Sequence, residues 1–318
     1  MHDRFGPPEV LRIEDVPAPV PADDELLVRV RAATVNQTDC HVRRAEPIVW
    51  RFMIGGIGVF RPKWTTLGKE FAGEVEAVGA GVTEFAVGDR VFGMKNHGAN
   101  AELVTVRESR LVAHLPDALS FEEGAAVIDG AYQGLVALRR GHVGKGTRLL
   151  VYGASGSCGT ACVQLGRHLG AHVTAVCGTK NIELVRSLGA DVVIDYQRED
   201  FRKRGETYDV IVDAVGKIVG LRYRDSLVPG GMFVLTDGIW NVLSVLVTRW
   251  SNRRIVAAWP RYAKEDLLLL KRLLETGEYR AVIDRTYPLE EVVEAHRYVD
   301  SWQKTGNVVL TLDGGGSR

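Results

Sequence analysis

The chain carries Leu149-Leu150-Val151-Tyr152-Gly153-Ala154-Ser155-Gly156-Ser157-Cys158-Gly159, then a run with Ala161, Val163, Leu165 and Leu169, then Gly170 and Ala171 to Cys177. Leu149 to Tyr152 is the short apolar run of a buried parallel strand. The glycine turn opens a helix whose apolar side is set by Ala161, Val163, Leu165 and Leu169. Gly170 closes it, and the next strand follows. Such a unit can cradle a phosphate, because backbone N–H groups at the helix start point at the anion and glycine lets it approach. A tight turn between strand and helix would also use these glycines. The whole unit at the expected spacing favours a dinucleotide, held by Gly153, Ala154, Ser155, Gly156, Ser157, Cys158 and Gly159.

The end of the second strand selects the nucleotide. An NAD-selective site places Asp or Glu there, about 20 residues after the turn, to accept from the ribose hydroxyls. This chain has Cys177-Gly178-Thr179-Lys180-Asn181 instead. With no carboxylate to repel a 2′-phosphate, and with Lys180 and the Thr179 hydroxyl able to bind one, the expected cofactor is NADPH. The alternative is that Lys180 begins a solvated helix with Asn181 as its N-cap.

Composition narrows the classes. At 318 residues the chain holds two domains of ordinary size. Its 40 basic and 40 acidic residues balance, and no basic run or RNA-binding signature points to nucleic acid. Cys40, Cys158, Cys162 and Cys177 lack metal-type spacing and read as free thiols of a reducing compartment. The start, Met1-His2-Asp3-Arg4, opens no signal peptide, and no apolar stretch is long enough to span a membrane. The expected setting is the cytosol.

Up to about Pro116 the chain reads as short strands: Val10 to Val16, Glu25 to Arg31, Phe71 to Val78 and Arg90 to Phe92. From Ser120 the period turns helical, with a capping box at Ser120-Phe121-Glu122-Glu123 and apolar spacing from Ala125 to Leu138. Strands at Val192 to Asp195, Val210 to Asp213, Met232 to Leu235 and Arg254 to Trp259 continue an alternation that implies a parallel sheet with helices on both faces. Helix Lys264 to Thr276, strand Ala281 to Tyr287, helix Leu289 to Asp300 and strand Asn307 to Leu312 complete the chain. The fold class is α/β: a β-rich domain plus a doubly wound parallel sheet. Pro47 to Pro62 is apolar for a loop, which suits packing, a substrate lid or an oligomer contact.

Gly73 to Gly79, Gly88-Asp89-Arg90-Val91-Phe92-Gly93, the glycine turn, Ser187-Leu188-Gly189-Ala190, Val228-Pro229-Gly230-Gly231 and Thr305-Gly306-Asn307-Val308-Val309-Leu310 occur in order. In these the chain resembles the zinc-free, quinone-oxidoreductase-like medium-chain dehydrogenases/reductases over its full length. The resemblance implies a GroES-like catalytic domain from 1–117 and 261–318, with a Rossmann NADP-binding domain at 118–260 between them and the active site in the cleft. Members of this kind begin with a further strand ahead of Asp3, which implies either a late start or an incomplete sheet edge. Relatives pair the strand matching Arg254 to Trp259 across a two-fold axis, so a homodimer through it is expected.

Zinc members hold an ion with a Cys two residues before Asp39, a His in a Gly-His-Glu motif and a third ligand at the start of the nucleotide domain. Here Gln37 and Gly68-Lys69-Glu70 stand at the first two places, and Asp129 at or near the third, so no metal is expected. Lys69 and Asp129 carry opposite charges there. One reading pairs them, with Glu70 behind, as a fixed ammonium that polarises an acceptor oxygen; the other is a surface lysine and a helix-capping Asp. Asn36, Thr38 and Asp39 follow a strand into the substrate region of relatives, or serve turn chemistry alone. Asp213-Ala214-Val215-Gly216 and Leu235-Thr236-Asp237 end parallel strands, where ligands sit, and the resemblance lets Gly306 and Asn307 close over the cofactor.

Without zinc, nothing stabilises an alkoxide, so the expected reaction is NADPH-dependent hydride transfer to a small electrophile: a quinone, an α,β-unsaturated carbonyl or an activated aldehyde. A non-catalytic NADPH-binding adaptor is the alternative.

Overall fold

The structure, a computed structural model, describes residues 1–46, 58–216, 220–236, 242–259 and 262–312. Most of the apolar stretch, residues 47–57, and Asp237 therefore lie outside the described residues. Two compact units form: Met1–Ile128 with Ala263–Glu275 and Arg280–Arg318, and Asp129–Tyr262 with Thr276–Tyr279.

In chain order the strands are β1 (Glu25–Val35), β2 (Glu70–Val78), β3 (Arg90–Met94), β4 (Leu103–Arg107) and β5 (Val112–His114), then β6 (Arg148–Tyr152), β7 (His172–Cys177), β8 (Val192–Asp195), β9 (Tyr208–Asp213), β10 (Leu227–Leu235) and β11 (Arg254–Ala257), then β12 (Ile283–Pro288) and β13 (Asn307–Thr311). The first unit holds a sheet of order β12-β13-β1-β2-β3-β5, with β4 also on β1. β1 pairs β4 from Glu25 to Arg29 and β13 from Ala32 to Val35, and its register against β2 shifts between Val30 and Ala32. That bulge bends β1 where it changes partner and wraps the sheet round Leu26, Val28, Val30, Phe71, Val91 and Leu310. Each such buried side chain contributes about 1.5–3 kcal/mol.

The second unit holds a parallel sheet of order β11-β10-β9-β6-β7-β8. Its inner strands are apolar on both faces, as helix-covered parallel strands must be. The order reverses between β6 and β9, the switch point at which ligands bind such sheets. The helices are α1 (Gln37–Arg44), α2 (Phe121–Ala125), α3 (Ile128–Arg140), α4 (Ser157–His168), α5 (Ile182–Ser187), α6 (Val242–Val247), α7 (Lys264–Glu275) and α8 (Val292–Asp300).

Two expectations are corrected. Val10 to Val16 is not a strand: only Val10 and Leu11 are buried, Ile13 and Val16 are exposed, and among the described residues its backbone bonds are the local turns of Val10 to Pro7 and Leu11 to Pro8 and the pairing of Arg12 with Met1. Alternation needs a partner strand, and Pro17, Pro19 and Pro21 remove donors just beyond. The helix expected from Ala125 to Leu138 is two helices, α2 and α3. At the break, Ile128 N donates to Glu70 Oε1 at 2.9 Å and the Ala126 carbonyl accepts from Asn307 Nδ2 at 2.7 Å. Side chains distant in sequence thus satisfy the backbone groups a continuous helix would have used.

Candidate functional site

The nucleotide-side residues come together at the carboxyl ends of β6, β7, β9 and β10. Each glycine of the turn has its own task. Gly153 has φ +80°, and a Cβ on it would stand 2.2 Å from Val215 Cγ2, so Val215 lies directly over the turn. A Cβ on Gly159 would meet the Gly153 carbonyl oxygen at 2.1 Å, so α4 starts in backbone contact with the turn. Gly156 differs: its Cβ would meet nothing closer than 3.7 Å, and as N-cap of α4 it brings no side chain to the first-turn N–H groups. That open face above an uncapped helix start suits a pyrophosphate. Ser157 also touches α3, where a Cβ on Gly130 would lie 2.2 Å from Ser157 Oγ.

Around Asp213 the loop is folded by one carboxylate: Asp213 Oδ1 accepts from Val215 N at 3.0 Å and Gly216 N at 3.1 Å. Thr236 Oγ1 donates to the Asp213 carbonyl at 2.8 Å. Val215 is thereby fixed over Gly153, and Leu235 and Thr236 are tied to Asp213 on the neighbouring strand.

At the end of β7 the reading that no carboxylate stands near Thr179 is corrected. Cys177 is paired in register with Asp195 of β8, and Asp195 Oδ2 accepts from Thr179 Oγ1 at 2.5 Å. This hydrogen bond holds the Asp195 carboxyl below the usual range, with help from the Gln197 amide and Arg198. Burial, then the Asp195 charge, pushes the Cys177 thiol up to about 11, so it stays neutral. Asp195 is 6% exposed, with its oxygens turned to Thr179, Gln197 N and Arg198, whereas Lys180, Tyr196 and Arg198 are exposed. Lys180 lies in a single 3₁₀ turn, Thr179–Asn181, and Asn181 makes no side-chain cap bond to α5. Asp195, Tyr196, Gln197 and Arg198 are the residues that sequence reasoning misses; the same strand-end rule that finds Asp213 and Thr236 points to them.

Asp129, 2% exposed, accepts from Gln133 Nε2 at 3.0 Å and from the Tyr262 hydroxyl at 3.2 Å, and the Tyr132 ring stands edge-on to Tyr262 at 5.3 Å. No sequence pattern singles out Tyr262.

The first unit gathers the other candidates. Asn36 caps α1, and Asp39 closes the capping box through Oδ2 to Asn36 N at 2.8 Å while its Oδ1 takes Gly68 N at 3.1 Å. Glu70 is fully buried and is the hub: it accepts from Thr34 Oγ1 at 2.6 Å, from Asn36 Nδ2 and from Ile128 N. Gly68 has φ +88°, and a Cβ on it would stand 2.1 Å from Asn100 Oδ1, so only glycine fits there. Lys69, 8% exposed, sits between Gly68 and Glu70, and its carbonyl accepts from Lys95 N at 2.7 Å. Gly306 lies against Val282, and Asn307 is 4% exposed and ties Ala126 and Val282 to β13. Lys69 belongs to the first unit and Asp129 to the second.

A nicotinamide dinucleotide fits the open Gly156 cradle. Zinc does not fit: Gln37 and Lys69 supply an amide and an ammonium where thiolate and imidazole are needed, and among the described residues no three His, Cys, Asp or Glu gather as metal ligands.

A family model described as alcohol dehydrogenase GroES-like domain matches residues 22–145, and one described as zinc-binding dehydrogenase matches residues 188–310. The quinone oxidoreductase of Pseudomonas aeruginosa is 31% identical over 96% of this chain and 97% of its own. The 2-methylene-furan-3-one reductase of Solanum lycopersicum is 32% identical over 96% of this chain and 76% of its own. The solved Escherichia coli quinone oxidoreductase complexed with NADPH superposes at TM-score 0.82 with 26% identity, covering 98% of both chains. Fold and glycine turn together define a nicotinamide-dependent oxidoreductase. The chain belongs to the quinone-oxidoreductase-like medium-chain dehydrogenases/reductases.

Proposed function

We propose that the chain is an NADPH-dependent reductase of electron-poor acceptors: quinones, α,β-unsaturated carbonyls or activated aldehydes. The observation that carries the cofactor reading is the open Gly156 cradle together with exposed Lys180, Tyr196 and Arg198 at the ends of β7 and β8. Ser157, Cys158 and Gly159 would present N–H groups to the pyrophosphate; Lys180 and Arg198 would hold the 2′-phosphate as charge-assisted donors. Asp195, already engaged by Thr179, stays turned from that phosphate. Val215, Gly216, Leu235 and Thr236 would line the nicotinamide half, and Gly306 and Asn307 the edge of the cofactor. When bound, NADPH supplies the hydride.

For the acceptor we assign Lys69 as the cation that orients an oxygen, with Asn36 and Asp39 shaping the turn beneath it; Asp129, held by Gln133 and Tyr262, is the candidate of the second unit. An acceptor already poor in electrons needs only such modest help, which is why this class is preferred over ordinary alcohols. We also infer a homodimer through the edge of β11 and the residues that follow it to Trp259, since an edge strand among the described residues invites a partner.

Stopped-flow loss of NADPH absorbance against a panel of quinones, enones and aldehydes, repeated with NADH, tests this reading. Turnover of at least one acceptor with NADPH is expected. Tight NADPH binding without oxidation by any acceptor would assign the chain to the non-catalytic alternative.

A further inference from the structure

In the first unit, the loop that follows β3 is stitched to the Gly68-Lys69 turn. Lys95 N donates to the Lys69 carbonyl at 2.7 Å, Ala99 N to that of Gly68 at 3.0 Å, and Gly98 N and Asn100 N to that of Leu67 at 3.2 and 3.0 Å. β2 and β3 pair antiparallel with Glu70 opposite Met94, so one residue further the same register sets Lys69 opposite Lys95. Residues opposed in this way share one face of the pair, with Cα atoms about 5.5 Å apart where a hydrogen bond joins them. Two lysines are therefore cross-strand neighbours, and like charges so placed are costly.

Lys95 is half-buried, yet no described residue gives its ammonium a hydrogen bond or an ion pair. An ammonium withdrawn from water without a partner is expensive. Burial accordingly lowers the Lys95 pKa, against a raising effect of Glu25. Further along the same loop, Asn100 Oδ1 and Nδ2 are both buried, and among the described residues neither has a hydrogen-bond partner. That carboxamide lies against Gly68, next to Lys69. His97 stacks on Trp64 with ring centroids 4.9 Å apart, and its pKa is lowered by burial and then by the charge of Lys95. The loop thus brings one unmatched cation and one unmatched amide to the turn already assigned to the acceptor.

We propose that the acceptor carries a carboxylate, held by Lys95 with the Asn100 amide as second donor, while Lys69 orients the carbonyl oxygen; this rests on the reductase reading above. Cations on opposed residues match an acceptor with a carbonyl at one end of its double bond and a carboxylate at the other, a γ-keto-α,β-unsaturated acid. One ammonium and one amide suit a singly charged carboxylate better than a phosphate, which takes arginine clusters or a helix start. In the step, hydride from NADPH forms a C–H bond at the carbon next to the carboxylate, and the carbon next to the ketone takes a proton from solvent. The C=C double bond becomes single and NADPH becomes NADP⁺. The carboxylate itself is unchanged, so the saturated product is recognised by the same two donors.

The test compares β-acetylacrylic acid with its methyl ester as acceptors for the whole chain with NADPH. Calorimetry then measures binding of levulinate, the saturated acid, and of methyl propyl ketone, which lacks the carboxylate. The acid should exceed the ester in kcat/KM by about tenfold or more; Lys95→Met should cut that ratio about tenfold, and Lys95→Arg should keep it. Levulinate should bind more tightly than the ketone, and Lys95→Met should remove the difference. Methionine keeps the apolar stem, so circular dichroism should show an intact fold, and the ratio in the native chain decides even if it does not. An acid used no better than its ester, a ratio unchanged in Lys95→Met, or inorganic phosphate bound more tightly than levulinate overturns the proposal. Levulinate bound through Lys95 with neither acceptor oxidising NADPH would uphold the carboxylate site and sink the reductase reading; turnover of both acceptors without preference does the reverse.

Discussion

The glycine turn of the second unit and the Thr34–Glu70 cluster of the first hold their polar groups in opposite states. At the turn, Gly156 leaves a helix start uncapped and open. In the cluster, Thr34, Asn36, Asp39 and Glu70 satisfy one another and the backbone, all but sealed from water. An open helix start can recruit a ligand; a closed cluster builds a frame. Substitutions should therefore separate: cluster changes should act on stability first, turn changes on binding first.

The largest effect is expected at Glu70. Glu70→Ala removes the acceptor of three buried donors, and the loss of stability should be roughly 3 kcal/mol or more, read by denaturant unfolding. A drop below about 0.5 kcal/mol would show that the cluster is not structural.

Gly156→Val comes next, and it should do the opposite. Its Cβ meets no clash in the protein, so stability should change by no more than about 1 kcal/mol. Filling the cradle should weaken NADPH by roughly a hundredfold, about 2.7 kcal/mol, in a fluorescence titration.

This contrast also explains which parts are legible in the sequence. The turn, β6 and β7 lie within thirty consecutive residues or so, where apolar periodicity and glycine chemistry act locally, and they stand where expected. Glu70 draws in Thr34, Asn36 and Ile128, and the break between α2 and α3 rests on Glu70 and Asn307. No local pattern encodes partners so far apart in the chain. Asp195 reaches Thr179 only because β8 pairs with β7, and Val10 to Val16 alternates correctly yet has no strand to pair with.

A third, pH-dependent effect belongs to the first unit. His296 on α8 is fully buried against α1, with Nδ1 3.5 Å from Cys40 Sγ, beside Arg43 and Arg44 that share Asp300. Burial, then the charges of Arg43, His2 and Arg44, drives its pKa well below the ordinary 6.5. The folded protein keeps His296 neutral while the unfolded chain protonates it. Stability should hold above about pH 6.5 and fall by about 1.4 kcal/mol per pH unit below it. Unfolding curves at a series of pH values check this: His296→Asn should flatten that slope, and an unchanged slope would place the acid sensitivity elsewhere.

The smallest effect in free energy is the most direct test of NADPH dependence. Dissociation constants of NADPH and NADH are measured for the native chain and for Lys180→Ala. The account predicts tighter native binding of NADPH than of NADH, and a loss of roughly 1–3 kcal/mol for NADPH alone in the variant. Equal affinity for both nucleotides in the native chain, or equal losses for both in the variant, would contradict it.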